Sequence, residues 1–132
     1  MSSIYSKARE AFARGEIDWL TIDARAILVD ASLYSVNLDT HQLLSDIPSG
    51  SRLGISSTLQ NPTDVLGVVD ADDITINGVS GSISAIVIYN HPGNTSGSLL
   101  WYINSAVNMP FVSSGSNIQI VWDNGVNKIG KI

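Results

Sequence analysis

Cysteine is absent from the 132 residues of this chain, and charged residues are scarce. Without cysteine the chain has neither disulfide bonds nor thiolate chemistry. Charged side chains make up 14% of the residues and hydrophobic ones 44%, whereas an average soluble domain is about 25% charged. A chain of this length can bury a working core without metal or disulfide support. The composition predicts a well-filled core, and it is also typical of a chain that keeps apolar surface for a partner.

The chain also lacks a long apolar run and a basic cluster. No segment approaches the roughly 18 apolar residues of a membrane span, and residues 1–19 contain no apolar stretch of signal-peptide length. We therefore expect an unprocessed chain that does not enter a membrane. The net charge is −5, and between Asp30 and Asp123 eight acidic residues face one base, Arg52. Because binding to DNA or RNA phosphates requires clustered Lys and Arg, we expect no nucleic-acid partner.

Helical periodicity is limited to one short segment near the N-terminus. Ser6 is placed as an N-cap, helix-forming residues follow, and Gly15 stands where a C′ glycine belongs. The apolar stripe of this helix is narrow, so we expect the helix to pack on other elements. The sequence thus predicts an N-terminal arm with a short helix over residues 1–19.

The rest of the chain, residues 20–132, reads as strands separated by predicted turns, among them Asn77-Gly78 and Ser113-Ser114-Gly115. Short strands at this spacing, with no second long helix to form βαβ crossovers, predict a mainly β fold. We expect one antiparallel β-sandwich domain, with a jelly roll as one possible form of it. A helical turn or two is expected within residues 39–47. The predicted strands are Ala24–Ala31, Arg52–Thr58, Val65–Val69, Asp73–Asn77, Ile83–Tyr89, Leu99–Asn104 and Ile118–Trp122.

Two features of these strands bear on assembly. Residues 86–89 and 99–103 are nearly continuous apolar runs, which predicts burial on both faces, against the rest of the chain or against a neighbouring subunit. At the C-terminus, Asn124-Gly125 favours a type I′ turn between two strands. That turn would place Ile129 opposite Ile120 and Trp122 in the core of a final hairpin.

Residues with catalytic or ligand-binding chemistry are few. His41 and His91 are the only imidazoles, and no nucleophile elbow or phosphate-binding glycine motif is present. Asp70, Asp72 and Asp73 form the densest carboxylate group, but their spacing does not fit an EF-hand, and a solvated turn is the favoured interpretation. We therefore predict no catalytic residue, no metal, no cofactor and no enzymatic activity.

Five blocks of the sequence, taken together, are typical of one protein family. The blocks are AREAFARGEIDW (8–19), AILVD (26–30), LLSDIPSGSR (43–52), VVDADDITI (68–76) and IVWDNGVNKIGKI (120–132). The most specific is WDNG-x-NKI at residues 122–129, and none of the blocks is a catalytic signature. In this order, over nearly the whole chain, the blocks resemble a family of small bacteriophage virion proteins.

The resemblance implies a non-enzymatic structural component of a virus particle, and first of all a capsid decoration (cement) protein. Proteins of this kind bind the outside of the expanded shell, often as trimers. The implied partners are the major capsid protein and further copies of this chain. The implied location is the capsid surface, after assembly in the cytoplasm of a bacterial host. On this hypothesis Ile4, Tyr5, Phe12 and Trp19 anchor the arm on a neighbouring surface, since aromatic residues often dominate interfaces.

Two alternatives remain open at this stage. A tail, neck or baseplate subunit would have the same composition, and would be present in fewer copies or as closed rings. A carbohydrate-binding β-sandwich for host attachment would carry exposed Trp or Tyr in a groove flanked by acids. The candidates for such a groove are Trp19, Tyr89, Trp101, Tyr102 and Trp122, which at strand positions are more often core or interface residues.

Overall fold

The computed structural model describes residues 2–91, 97–123 and 128–132. Its strands are β1 (Ser2–Ile4), β2 (Ala24–Val29), β3 (Arg52–Ile55), β4 (Thr63–Val65), β5 (Val68–Asp70), β6 (Ile74–Ile83), β7 (Ala85–Asn90), β8 (Ser98–Ile103), β9 (Phe111–Ile120) and β10 (Gly130–Lys131). The helix α1 spans Ser6–Ala13, and two 3₁₀ helices span Leu44–Asp46 and Ser49–Ser51. The first of these 3₁₀ helices confirms the helical turn expected within residues 39–47.

The strands form three antiparallel groups in the described part of the chain. A five-stranded sheet has the order β1-β8-β7-β2-β3, a three-stranded sheet has the order β10-β5-β4, and β6 pairs with β9. The predicted mainly β, antiparallel class with one short N-terminal helix is confirmed. The groups of five, three and two strands differ from the two four-stranded sheets of a jelly roll.

The helix ends as predicted and begins differently. The N–H of Gly15 (φ 72°) donates to the Phe12 carbonyl and the N–H of Glu16 donates to the Ala11 carbonyl, which together form a Schellman motif. The prediction of Ser6 as the N-cap was wrong, because Tyr5 occupies that position without a side-chain cap. The Ser6 hydroxyl instead donates to Asp39 Oδ1 at 2.6 Å.

One strand assignment and two turn assignments need correction. Residues 65–69 are not one strand, because Leu66 (φ 54°) and Gly67 (φ 79°) form the two-residue loop between β4 and β5. Asn77-Gly78 and Ser113-Ser114-Gly115 are not turns but lie inside the paired strands β6 and β9. Gly115 (φ 85°) is the extra residue of a β-bulge, since Ser114 and Ser116 pair with consecutive residues of β6.

The predicted pairing at the C-terminus was wrong. Ile120 pairs with Ile74 of β6, and Gly130 pairs with Val69 of β5, so Ile129 does not face Ile120. The Asn124-Gly125 turn itself lies outside the described residues. The sequence pattern predicted a strand at each end of this segment, but it did not predict which strand each of them pairs with. Trp122 is buried, as expected, with 6% of its surface exposed.

The chain itself covers both faces of its two most apolar strands. Alternate residues of a strand point to opposite faces of the sheet. Trp101 of β8 contacts Phe12 and Trp19 with ring centroids 5.6 Å away, while the next residue, Tyr102, contacts Tyr34 at 6.2 Å. Burial of β7 and β8 therefore requires no neighbouring subunit.

Candidate interaction surface

The candidate site is a groove over the five-stranded sheet, and its floor is one row of side chains. Leu28, Ile86 and Ile103 are direct cross-strand partners on β2, β7 and β8, and Ser2 of β1 continues the row. Antiparallel pairing brings such residues side by side on one face. The side chains are almost completely covered, with 1–9% exposure for the three apolar residues. The floor is therefore an apolar strip of three side chains with a serine at one end.

The walls of the groove come from β9 and from the segment 105–109 that precedes it. Ile118 and Ile120 of β9 line the groove together with Trp122, which follows that strand, and with Val107 and Met109, which precede it. The groove has a volume of about 1210 Å³. Ligand pockets and interfaces of this kind are mostly apolar with a few polar groups at the margin. The shape and lining suit the burial of a partner's apolar side chains.

The rim carries apolar side chains that are exposed to solvent. Val107 is 91% exposed, Val121 is 64% exposed and Phe111 is 45% exposed. Charged groups in the described lining are Asp123 and Lys128, and the Lys128 ammonium lies 3.7 Å from Asp70 Oδ2. Single exposed apolar residues are common, whereas several around one apolar groove indicate a contact surface. Neither of the two histidines is among the lining residues.

Sequence reasoning did not identify this groove. Residues 106–112 (AVNMPFV) form an apolar stretch next to a predicted strand, and that composition was the available signal. The stretch was not assigned to a strand or to a site. In the structure its last two residues begin β9, and Val107 and Met109 line the groove.

The predicted interface residues lie within the chain's own core instead. Ile4 pairs with Trp101 as part of β1, and Tyr5 is 0% exposed. Trp19 is 2% exposed, and its indole N–H donates to the Asp70 carbonyl at 3.2 Å. Phe12 is half-buried against Trp101. Residues 2–19 thus pack on the same core as the predicted domain of residues 20–132. Their role at a partner interface stays a prediction, and it requires that this segment leave the sheet.

The aspartates at positions 70, 72 and 73 form hydrogen bonds with backbone and side-chain groups. Asp73 Oδ1 accepts the Trp122 backbone N–H at 2.9 Å, and Asp72 Oδ2 accepts from the Asn61 amide at 2.6 Å. The carbonyls of Asp70 and Asp72 accept the indole N–H groups of Trp19 and Trp122. Across the described residues, no group of three or more His, Asp or Glu side chains is arranged to hold a metal ion. The segment 70–73 thus holds the indoles of two buried tryptophans through its backbone carbonyls.

Each histidine is hydrogen-bonded to a buried tyrosine. His41 Nδ1 lies 2.8 Å from the Tyr34 hydroxyl, and His91 Nδ1 lies 2.5 Å from the Tyr89 hydroxyl. Burial raises the pKa of Tyr34 and of Tyr89 above the usual tyrosine value. Both hydroxyls therefore stay protonated over the range in which the protein is handled. Because these tyrosines are buried, the geometry favours a structural role for each pair.

A carboxylate lies near the His91 pair and has its own partners. The Arg25 guanidinium donates to both Asp23 carboxylate oxygens, and the Thr58 hydroxyl donates at 2.6 Å. The hydrogen bond from Arg25 holds the pKa of Asp23 below its usual value, against a smaller opposing effect of burial. This cluster fastens the end of β2 to the segment after β3.

The aromatic residues do not form a sugar-binding platform. All three tryptophans and all four tyrosines of the chain have exposures of 7% or less. Trp122 is the one that borders the groove, where it is 6% exposed. Sugar rings stack on accessible aromatic faces, so the feature expected for the carbohydrate-binding alternative is missing from these residues.

In the described residues, no helix has the length and apolar character needed to span a membrane. The chain matches no protein-family model and no curated protein.

Proposed function

We propose that the chain is a non-enzymatic structural protein of a bacteriophage virion, and specifically a capsid decoration protein. Two things support the proposal: the resemblance of the five sequence blocks, and the apolar groove beside β9. The groove is the observation that carries it. It offers apolar contact area and a rim of exposed valines, without a histidine or a carboxylate pair placed for chemistry inside it.

In this proposal the groove receives apolar side chains of the major capsid protein on the outer shell. Desolvation of Val107 and Val121 would provide the favourable free energy, since burying apolar surface is the main driving force of association. Further copies of the chain, as a trimer, would bind several shell sites at once. Such multivalent attachment raises the effective concentration at each site, so that modest single contacts suffice.

The first test measures the copy number in virions of the phage that encodes the chain. Quantitative mass spectrometry compares this protein with the major capsid protein. Decoration of the lattice predicts a ratio of the same order as the shell protein. A handful of copies per particle would replace decoration by a tail, neck or baseplate role, and absence from purified virions would refute the virion proposal altogether.

The second test changes the rim of the groove. Val121→Asp places a charge on an exposed rim position, so the fold is expected to persist while attachment to shells falls by at least about tenfold. The matched control is Leu33→Asp, because Leu33 is similarly exposed, at 56%, and is not among the groove residues. The amount of each variant bound to purified capsid shells is measured after the shells have been pelleted. Equal occupancy for both variants would show that the groove is not the attachment surface.

A further inference from the structure

The N-terminal segment is held by a loop that contains a histidine. The Tyr5 hydroxyl lies 2.9 Å from the Tyr34 hydroxyl, which lies 2.8 Å from His41 Nδ1. In the same region the Ser6 N–H donates to the Leu38 carbonyl at 2.8 Å. These contacts connect the junction of β1 and α1 to residues 34–41. We call this set of contacts the N-terminal clasp.

The direction of the hydrogen bonds in the clasp follows from one backbone donor. The Asn37 N–H points to His41 Nδ1 at 3.2 Å, and a backbone N–H can only donate. Nδ1 therefore carries a lone pair, and the imidazole is neutral with its proton on Nε2. The Tyr34 hydroxyl must then donate to Nδ1, which leaves its oxygen to accept the hydroxyl proton of Tyr5.

Protonation of His41 is incompatible with this arrangement. A proton on Nδ1 faces the Asn37 N–H, so that contact is lost, and the Tyr34 hydroxyl must turn to become an acceptor. Tyr5 is 0% exposed, and in the described chain Tyr34 is the hydrogen-bond partner of its hydroxyl. With Nδ1 protonated and donating to Tyr34, the hydroxyl proton of either Tyr5 or Tyr34 is left without an acceptor, and a buried donor without a partner is costly.

We propose that His41 is a pH-sensitive latch that holds residues 2–13 on the sheet when neutral and releases them when protonated. Imidazole is the side chain that titrates between about pH 5 and 8. The open form binds one proton more than the closed form, so closure is favoured as the pH rises and is lost as the pH falls. Release would expose Ile4 and Tyr5, which are buried in the closed form.

The carboxylates near the clasp act against release, because their negative charge stabilises a protonated His41 while the clasp is closed. Asp46 lies in the first 3₁₀ helix, and Asp39 lies in the turn that contains His41. Hydrogen bonds from the backbone N–H groups of Gln42 and Leu43 lower the pKa of Asp46, and His41 adds a smaller effect. Asp46 is therefore a carboxylate near pH 7, and its charge favours the imidazolium. Tyr102 of β8 faces Tyr34, and burial raises its pKa, so it stays neutral.

The test is hydrogen exchange of residues 2–13 as a function of pH, corrected for the intrinsic exchange rate. In the wild-type protein, protection of this segment is expected to fall severalfold, and by no more than about tenfold, between pH 7.5 and pH 5.5, because a single imidazole is involved and the ordinary pKa of imidazole lies between these two values. His41→Gln offers an acceptor that does not titrate, so its protection is expected to stay constant over this range. His91→Gln alters the other histidine–tyrosine pair and is expected to respond as the wild type does.

A second measurement keeps the proposal testable if the variant does not fold. The nitrogen chemical shifts of the wild-type imidazoles report the tautomer directly. At pH 7.5 His41 is expected to carry its proton on Nε2. A proton on Nδ1 at that pH, or protection of residues 2–13 that does not change with pH in the wild type, would overturn the latch. These results are independent of attachment to a virion.

Discussion

Replacement of Trp19 distinguishes an integral N-terminal segment from an independent arm. Trp19 is 2% exposed, packs edge-on against Trp101 with ring centroids 5.6 Å apart, and donates its indole N–H to the Asp70 carbonyl. Truncation of a buried Trp to Ala typically costs about 3–5 kcal/mol, through lost burial and the cavity left behind. Trp19→Phe keeps a ring against Trp101 but leaves the Asp70 carbonyl without this donor, at a cost of about 1–3 kcal/mol.

The assay is urea unfolding of the purified protein, followed by circular dichroism. The free energy of unfolding is compared at constant denaturant slope, so that a lower midpoint reports lost stability. The control is Leu20→Ala, because the neighbouring side chain is 50% exposed and its removal is expected to change stability by less than about 0.5 kcal/mol. If Trp19→Ala cost less than about 1 kcal/mol, residues 2–19 would behave as a detached arm, and the packing described here would be refuted.

Two further perturbations test other parts of the structure. A Cβ at Gly130 would meet the buried indole of Trp101, so Gly130→Ala is expected to lose about 1–3 kcal/mol in urea unfolding, whereas Gly50→Ala, with open space around it, should be neutral or slightly stabilising. Equal effects would contradict the packing of β10. Burial raises the pKa of every tyrosine in the chain, so the folded state retains protons that the unfolded state releases above about pH 10, and stability should fall as the pH rises through that range. Ultraviolet titration of tyrosinate checks this, and ionisation of the folded protein at the pH of the urea-unfolded chain would contradict it.

Local features of the fold were predictable because they depend on neighbouring residues. Gly15 indicated the end of the helix, since its positive φ and the two capping hydrogen bonds involve only residues 11–16. The two apolar runs indicated β7 and β8, and their burial on both faces was expected. The absence of a second helical pattern indicated antiparallel sheets.

The errors share a different cause. Asn77-Gly78 is a residue pair typical of turns, but β6 continues through it because β6 pairs with β9 on both sides of the pair. The positive φ of Gly78 coincides with an irregularity in the register of that pairing. At the C-terminus, alternation predicted a strand correctly but not its partner, which is β5. Register and partner choice depend on contacts between residues far apart in sequence, and no local pattern encodes them.

The candidate site, too, could be predicted from the sequence only in part. The sequence indicated that apolar surface would be in excess, and it correctly located buried aromatic residues such as Trp122. It predicted a contact role for Tyr5 and Trp19, which the fold buries and whose role at an interface stays a prediction, and it did not single out the exposed Val107 and Val121. Hydrophobicity alone cannot distinguish a core residue from a contact residue, because exposure is a property of the assembled sheets.

The sequence by itself determined the class of this protein: a cysteine-free, acidic, antiparallel β domain with one capped helix. Composition and hydrophobic periodicity depend only on which residues occupy neighbouring positions, so they can be read from the sequence without the structure. Only the tertiary structure decided that the N-terminal segment is a strand of the main sheet, that Tyr5, Tyr34 and His41 are linked by hydrogen bonds, and that a groove opens beside β9. Each of these depends on residues tens of positions apart coming within a few ångströms, which follows from global packing and not from any local pattern.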